Sequence, residues 1–430
     1  MLRVYSISLG CPKNLVDSEH LLGSLGKIEH APDIAQADLV FINTCGFILP
    51  AVQESIGVIL DAAEAIKALP QKKRPLLAVA GCLVGRYLPQ GLDKEIPEVD
   101  LWLNVPDLAL WPALIGERLG FAAAPGRLLS TGPGHAYLKI SDGCNHACAF
   151  CTIPLIRGPL RSFPVPELIN EAQKLIEQGV REIILVGQDV AGYGRDAGDS
   201  AALRNLLAGL VRLPDLARLR LMYLYPAGLT RDFLSFLQEL PPVFLPYFDV
   251  PLQHSHPDVL SRMGRPFAQN PGLILERIRE CFPAAALRTS LIVGYPGETD
   301  SQFEHLLDFV QESRFQHLGV FAYEAEEGTV AAALPDQIPI EIRRERRNQV
   351  MALQAEISAE LLEAYLGRHL DILVEKTSPE WPGLHIGRAW FQAPEVDGVT
   401  YISGPNVAPG QLVRAEITET HTYDLSALAG

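Results

Sequence analysis

The sequence predicts an α/β protein of three units. These are an N-terminal open parallel α/β domain, a central partial (β/α) barrel of TIM type, and a small C-terminal antiparallel β-barrel. Three observations predict this. Apolar runs at 4–10, 38–44 and 75–81 alternate with helical stretches at 17–26 and 51–69, the pattern of βαβ units with buried parallel strands. A Gly-, Ala- and Pro-rich stretch at 120–135 then gives way to a second, longer strand–helix series. From 367 onward, short strand patterns are separated by Pro and Gly turns, as in small β-barrels.

The 430 residues suffice for two or three domains at about 100–200 residues each. No apolar run reaches the roughly 18 residues of a membrane span. The start, MLRVYSISLGCPKN, has no signal-peptide apolar region, so a cytoplasmic protein is expected. The net charge of −15 weighs against general nucleic-acid binding, which draws its affinity from phosphate neutralisation. An acidic surface suits a basic protein partner. Seven cysteines in a reducing compartment point to metal binding or catalysis, not to disulfides.

In the first unit (1–125) each strand run is followed at once by a cysteine: Cys11, Cys45 and Cys82, 34 and 37 residues apart. Ligands of open parallel sheets sit at the carboxyl ends of strands, so the three thiols can converge on one metal site. Singly, each could be a buried small hydrophobe; the shared placement favours the joint site.

The second unit (130–366) has strand patterns at 136–142, 182–187, 218–225, 244–250, 287–294 and 315–323, with helical patterns between them, as at 166–179 and 301–313. This alternation fits a partial (β/α) barrel. A charged helix from about 339 to 366 closes it, and its RRERR run is expected on a solvated face. The third unit (367–430) carries four Lys/Arg against eight Asp/Glu, an excess of acid that argues against a phosphate-tracking groove.

The loop DGCNHACAFCTIP follows the first barrel strand and holds Cys144, Cys148 and Cys151. Three thiolates so close suit zinc or an iron–sulfur cluster. Structural zinc wants a fourth ligand, and His146, between the cysteines, is awkwardly placed for it. Three thiolates on a 4Fe–4S cluster leave one iron open.

This loop resembles the cluster-binding signature of radical S-adenosylmethionine (SAM) enzymes. The three-cysteine first unit, the barrel and a TRAM-like last unit together resemble the methylthiotransferases over essentially the whole chain. SLGCPKNLVDSE (8–19), NTCGFILPAVQES (43–55), VPLQHSHPDVLSRMGRP (250–266), LRTSLIVGYPGET (287–299) and TYDL (422–425) resemble the branch that modifies a ribosomal-protein aspartate. The tRNA branch typically has Gln-Met-Asn where this chain has Pro12, Lys13 and Asn14.

The resemblance implies two 4Fe–4S clusters, one on Cys11, Cys45 and Cys82 and one on Cys144, Cys148 and Cys151, the latter set catalytic. It implies two SAM per turnover, one giving a methyl group to cluster-bound sulfur and one giving a 5′-deoxyadenosyl radical. The target is the β-carbon of an aspartate in the twelfth protein of the small ribosomal subunit. A flavodoxin- or ferredoxin-type electron donor, no membrane partner and a monomer are expected. A tRNA adenosine as substrate, or a non-catalytic metal-cluster scaffold, are the alternatives.

Further residues follow the resemblance to SAM: Gly187, Gln188 and Asp189 after the second barrel strand, Gln253 and His254 after the fourth, and Gly294 and Glu298 in the Gly-rich turn after the fifth. That turn could equally be a plain βα connection. Asn43 and Asp17 could bond cluster sulfur or only hold their loops. Lys13 could meet an acidic substrate or a persulfide, or be solvated. Cys281 is expected as a buried free thiol.

Overall fold

The computed structural model describes residues 1–430. Its first sheet is all-parallel, in the spatial order Ile28–His30, Leu2–Ser8, Leu39–Thr44, Leu76–Gly81, Leu101–Leu103. The two edge strands have three residues each, too few to give a periodic signal in the sequence. The central strands are apolar on both faces because both faces are covered. Leu39, Phe41, Ala78 and Ala80 pack against Leu21, Leu22, Trp111 and Ile115. Their neighbours Val40, Ile42, Leu77 and Val79 pack against Val52, Ile59 and Ala62.

The helix expected at 17–26 runs Pro12–Ser24. It begins at Pro12 because proline is pre-set for the first helical position, so Cys11 becomes its N-cap. The second helix is Leu49–Lys67.

All six expected barrel strands are present, in one parallel sheet ordered as in the sequence: His135–Lys139, Glu182–Val186, Arg218–Leu221, Phe244–Asp249, Ala286–Val293 and His317–Ala322. One face packs on the surrounding helices, with Leu138, Ile183, Leu185 and Leu219 against Leu168, Leu175 and Leu206. The inner face is filled by the other two units. Tyr137, Ile184, Val186 and Tyr247 meet Val16 of the first helix and Ala389 and Phe391 of the C-terminal unit.

The helix Ile340–Glu363 closes this unit, but the RRERR run is not all solvated. Arg346 is buried and bonds Glu298 at 2.7 Å, and Arg343 reaches Tyr323 O at 2.6 Å. The expected linker is a docked strap. Arg127 bonds Glu19 at 2.6 Å and Glu171 at 2.5 Å. A Cβ on Gly23 would come within 2.4 Å of the Arg127 backbone.

The C-terminal unit is a closed five-stranded barrel. Its pairings are antiparallel except one, Thr400–Ser403 beside Leu425–Ala429. No helix of the chain is long and apolar enough to cross a membrane.

Candidate active site

Cys11, Cys45 and Cys82 all lie at carboxyl ends of strands in the first sheet, as expected. The approach is close because glycines precede or follow each thiol. A Cβ on Gly10 (φ +91) would stand 3.2 Å from Cys45 Sγ, and one on Gly46 would press on the Cys82–Leu83 backbone at 2.6–2.8 Å. Asn43 and Asn14 are buried beside them. Asn43 Nδ2 donates to Asn14 O at 2.8 Å, and Asn14 Nδ2 donates to Thr44 O at 2.9 Å. These bonds hold the loops, and Asn14 also faces a thiol, with Cys82 Sγ 3.6 Å from its Oδ1.

The charges around this triplet are uneven. Burial pushes the Cys11 thiol up, but the Lys13 ammonium and the Arg157 guanidinium outweigh it and bring the group below its usual value. Burial, with the neighbouring Cys82 and Cys11, raises Cys45 to about 11. Burial also raises Cys82, against the pull of Arg157.

The second triplet sits on the loop after the first barrel strand. Gly143 takes φ +73, and Cys144 N donates to Gly158 O at 3.1 Å. Cys151 N donates to Cys148 O at 3.0 Å, closing the turn between them. Burial raises Cys151 to about 12, and its backbone partner Ile153 N–H lowers it only in part. Arg265 Nη1 lies 3.2 Å from Cys148 Sγ. The same guanidinium stacks 4.4 Å from the Tyr225 ring centroid.

His146 is not a fourth ligand. It stacks on Tyr225 with ring centroids 3.5 Å apart and is paired with Asp189 at 2.7 Å. Asp189 is therefore occupied, since it also caps the turn by accepting from Gly192 N at 3.0 Å.

The remaining expected residues divide. Gly187 is packed where a Cβ would stand 2.6 Å from Ser141 Oγ. The Gln188 amide is sealed from solvent with no partner on either its oxygen or its nitrogen. Gln253 has φ +78, a conformation that non-glycine residues adopt mainly at constrained sites. Glu298 is committed to its turn: it accepts from Gly294 N at 2.9 Å, Tyr295 N at 3.2 Å and Arg346 Nη1 at 2.7 Å. Buried His254 stands 3.6 Å from the same carboxylate. A ligand at this turn would meet its backbone rather than Glu298. Cys281 ends the helix Gly272–Cys281 and is half-buried, not buried.

Sequence reasoning missed the groups that join the two triplets. The short helix Ile153–Arg157 begins two residues after Cys151 and packs on the helix Cys82–Tyr87, where Gly85 meets Ile156 O. The segment that follows Cys151 is therefore in contact with the segment that begins at Cys82. Arg157 ends that helix and bonds Asp142 at 2.9 Å, Asp17 at 3.3 Å and Asn14 at 2.5 Å. Lys139 completes the cluster with Asp17 and with Asp142 at 3.1 Å. Asp17 thus serves the domain contact, not the thiols. On the far side Arg86 pairs with Glu326 at 2.8 Å, and Glu326 also accepts from Leu49 N at 2.7 Å. The only signal for these was charge in otherwise apolar segments.

Each triplet offers three thiols and no fourth protein ligand, since His146 is engaged by Tyr225 and Asp189, whereas a structural zinc takes four. Two sets of three thiols, each in a glycine-lined cradle, fit a broader multi-iron group that takes three protein ligands.

Comparison with known proteins agrees with this division. Family models match at residues 3–104 (an uncharacterised protein family, UPF0004), 138–310 (the radical SAM superfamily) and 366–429 (the TRAM domain). A protein of Nitratidesulfovibrio vulgaris named ribosomal protein uS12 methylthiotransferase RimO is 59% identical, with 100% of both chains covered. Proteins of the same name from Lawsonia intracellularis (51% identical, 100% and 98% covered) and Aquifex aeolicus (42%, 99% and 96%) are also similar. The chain belongs to the RimO methylthiotransferase family. Its fold is shared with the radical SAM methyltransferase TsrM of Kitasatospora setae, solved with cobalamin and a [4Fe-4S] cluster (TM-score 0.55, 14% identity, 92% of this chain and 81% of that one). As a RimO-family chain it is a radical SAM methylthiotransferase, a SAM- and iron–sulfur-dependent enzyme, and the two triplets are the features its fold brings together.

Proposed function

We propose that this chain inserts a methylthio group at the β-carbon of an aspartate in ribosomal protein uS12, the substrate that its relatives' names give. The observation that carries this reading is the buried contact by which Arg157, after Cys151, bonds Asn14 and Asp17, after Cys11. Cys144, Cys148 and Cys151 hold one 4Fe–4S cluster and Cys11, Cys45 and Cys82 the other. When bound, the cluster on Cys144, Cys148 and Cys151 would supply an open iron for SAM and the electron for its cleavage, and the cluster on Cys11, Cys45 and Cys82 would hold the sulfur to be transferred.

The chain's own residues do the rest. SAM is placed beside Gly187, Gln188, Gln253 and Gly294, after successive barrel strands, where the Gln188 amide is without a partner. Arg265 steadies Cys148 by a charge-assisted bond. The cluster of Asp17, Lys139, Asp142 and Arg157 closes the gap between the units and excludes water from the space where a radical would react. A flavodoxin- or ferredoxin-type donor, a cytoplasmic location and a monomer complete the reading.

The test is mass spectrometry after anaerobic reaction with SAM, sulfide and reductant, offering a uS12 loop peptide and unmodified tRNA separately. A methylthio gain on the peptide aspartate alone supports the reading. A gain on tRNA alone overturns it.

A further inference from the structure

We propose that Lys13 is the cation that receives the carboxylate of the substrate aspartate; this rests on the reading of the function above. Lys13 is buried, at 8% exposure. Burying a cation is costly unless an anion pairs with it. The buried cations near Cys11 and Asn14 are Lys13, Arg157 and, beyond it, Lys139, and the carboxylates that meet the last two are Asp17 and Asp142. Both carboxylates are taken by Lys139 and Arg157. Lys13 has no carboxylate; its anionic neighbour is the Cys11 thiolate two residues away, which the first triplet's iron would take. Its ammonium lies 3.5 Å from the centroid of the Tyr223 ring, and the other charged or titratable groups facing it are Cys11 and Arg157.

Tyr223 is itself held in an unusual conformation, at φ +58. Its backbone is pinned on both sides, donating from N to Asp249 Oδ2 at 3.0 Å and accepting at O from Val190 N at 3.1 Å. Strain of this kind persists where the surroundings over-determine it and is concentrated at functional sites. Two residues on, Tyr225 carries Arg265 and His146 of the second triplet. Lys13 therefore lies two residues from Cys11 and over a ring two residues from the tyrosine that packs on Arg265 and His146.

An aspartate carboxylate is bonded directly to the β-carbon. A cation that holds the carboxylate fixes the reacting carbon one bond away. The aromatic face below keeps Lys13 charged without neutralising it, since a ring quadrupole attracts a cation but carries no net charge. Lys13 is thus a specificity residue for an acidic side chain, and Tyr223 is its positioning residue.

The experiment uses the full, reconstituted chain and two labelled uS12 loop peptides, identical except that one carries asparagine in place of the target aspartate. Binding is read by fluorescence anisotropy and iron by chemical assay. The wild type is expected to prefer the aspartate peptide by roughly ten- to a hundredfold, the value of a hydrogen bond to a charged group. Lys13→Gln removes the preference with bound iron unchanged, and Lys13→Arg restores most of it. Tyr223→Leu weakens it with the iron retained.

A Lys13→Gln protein that keeps the wild-type preference overturns the proposal. So does one that loses iron from the first triplet, because Lys13 would then serve the thiols. If the wild type binds and modifies neither peptide, the functional reading itself fails and the proposal falls with it.

Discussion

Arg157 Nη2 donates to Asn14 Oδ1 across 2.5 Å, and that bond ties the loop of one thiol triplet to the loop of the other. Asn14 lies three residues after Cys11 and Arg157 six residues after Cys151. The guanidinium also meets both buried carboxylates of the contact, Asp17 and Asp142. One side chain therefore bridges the loops of two thiol triplets that belong to different units.

Replacing Arg157 by Gln should be expensive. It leaves Asp17 and Asp142 to share Lys139 in a dry interface, and breaking a buried pair from one side costs about 3–5 kcal/mol. Denaturant unfolding of the unliganded chain should show a loss of that size. Reconstituted Arg157→Gln should still cleave SAM but transfer far less methylthio group, because the gap between the centres loosens. Unaltered transfer would show that Arg157 does not set that gap.

Gly81 makes the first triplet possible by its backbone alone. It adopts φ +99 and ψ −160 as the N-cap before Cys82. A Cβ there would stand 2.3 Å from Asn43 Oδ1 and 2.4 Å from Thr44 O. Gly81→Ala should lose the iron of the first triplet and destabilise the chain by about 1–3 kcal/mol from backbone strain, with steric cost added. Gly26→Ala is the control: it also has positive φ, at +81, but open space around it. It should cost about 1 kcal/mol and leave the iron intact. Iron loss in both variants would count against a local effect at Cys82.

The two triplets should be separable by iron content. Each 4Fe–4S cluster contributes about four irons, so full loading is about eight per chain. Cys148→Ala and Cys45→Ala should each fall to about four. Cys148→Ala should also lose SAM cleavage, whereas Cys45→Ala should keep cleavage and lose methylthio transfer. Equal loss of cleavage in both would contradict this division of labour.

Strands were legible in the sequence where several consecutive apolar residues lie in a sheet covered on both faces, as in Leu39–Thr44 and Glu182–Val186. The edge strands Ile28–His30 and Leu101–Leu103 were not, being too short to show a period. The six cysteines of the two triplets stood out in the sequence because each follows a strand or sits in a tight motif. Asp189, just past a strand end, and Glu298, in the turn after the fifth barrel strand, were expected to meet SAM, and their side chains are engaged in bracing their own turns. A carboxylate that braces a turn looks, in sequence, like one that awaits a ligand. The charges that join the units, Arg157, Lys139 and Arg86, were invisible, because their partners lie up to 240 residues away.

The same long-range pairing gives the contact between the barrel and the C-terminal unit its own pH signature. Glu182 bonds Arg220 at 2.7 Å and Arg388 at 2.9 Å, with all three buried. Arg388 also bonds Glu375 at 2.8 Å, beside His135 of the first barrel strand. Burial works to raise the Glu375 carboxyl, but Arg388 and then His135 outweigh it and bring the group from 4.5 down to about 2. A carboxylate depressed in the folded state stabilises the fold above its unfolded value. That contribution is lost as the pH falls from about 4.5 towards 2. A shift of this size corresponds to about 3 kcal/mol at most. Glu375→Gln should therefore be less stable than the parent by up to about 3 kcal/mol above pH 5, and the gap should narrow steadily in urea unfolding as the pH is lowered through 4. A gap that stays constant with pH would mean that Glu375 contributes packing or a neutral hydrogen bond, and that Arg388 is balanced by Glu182 alone.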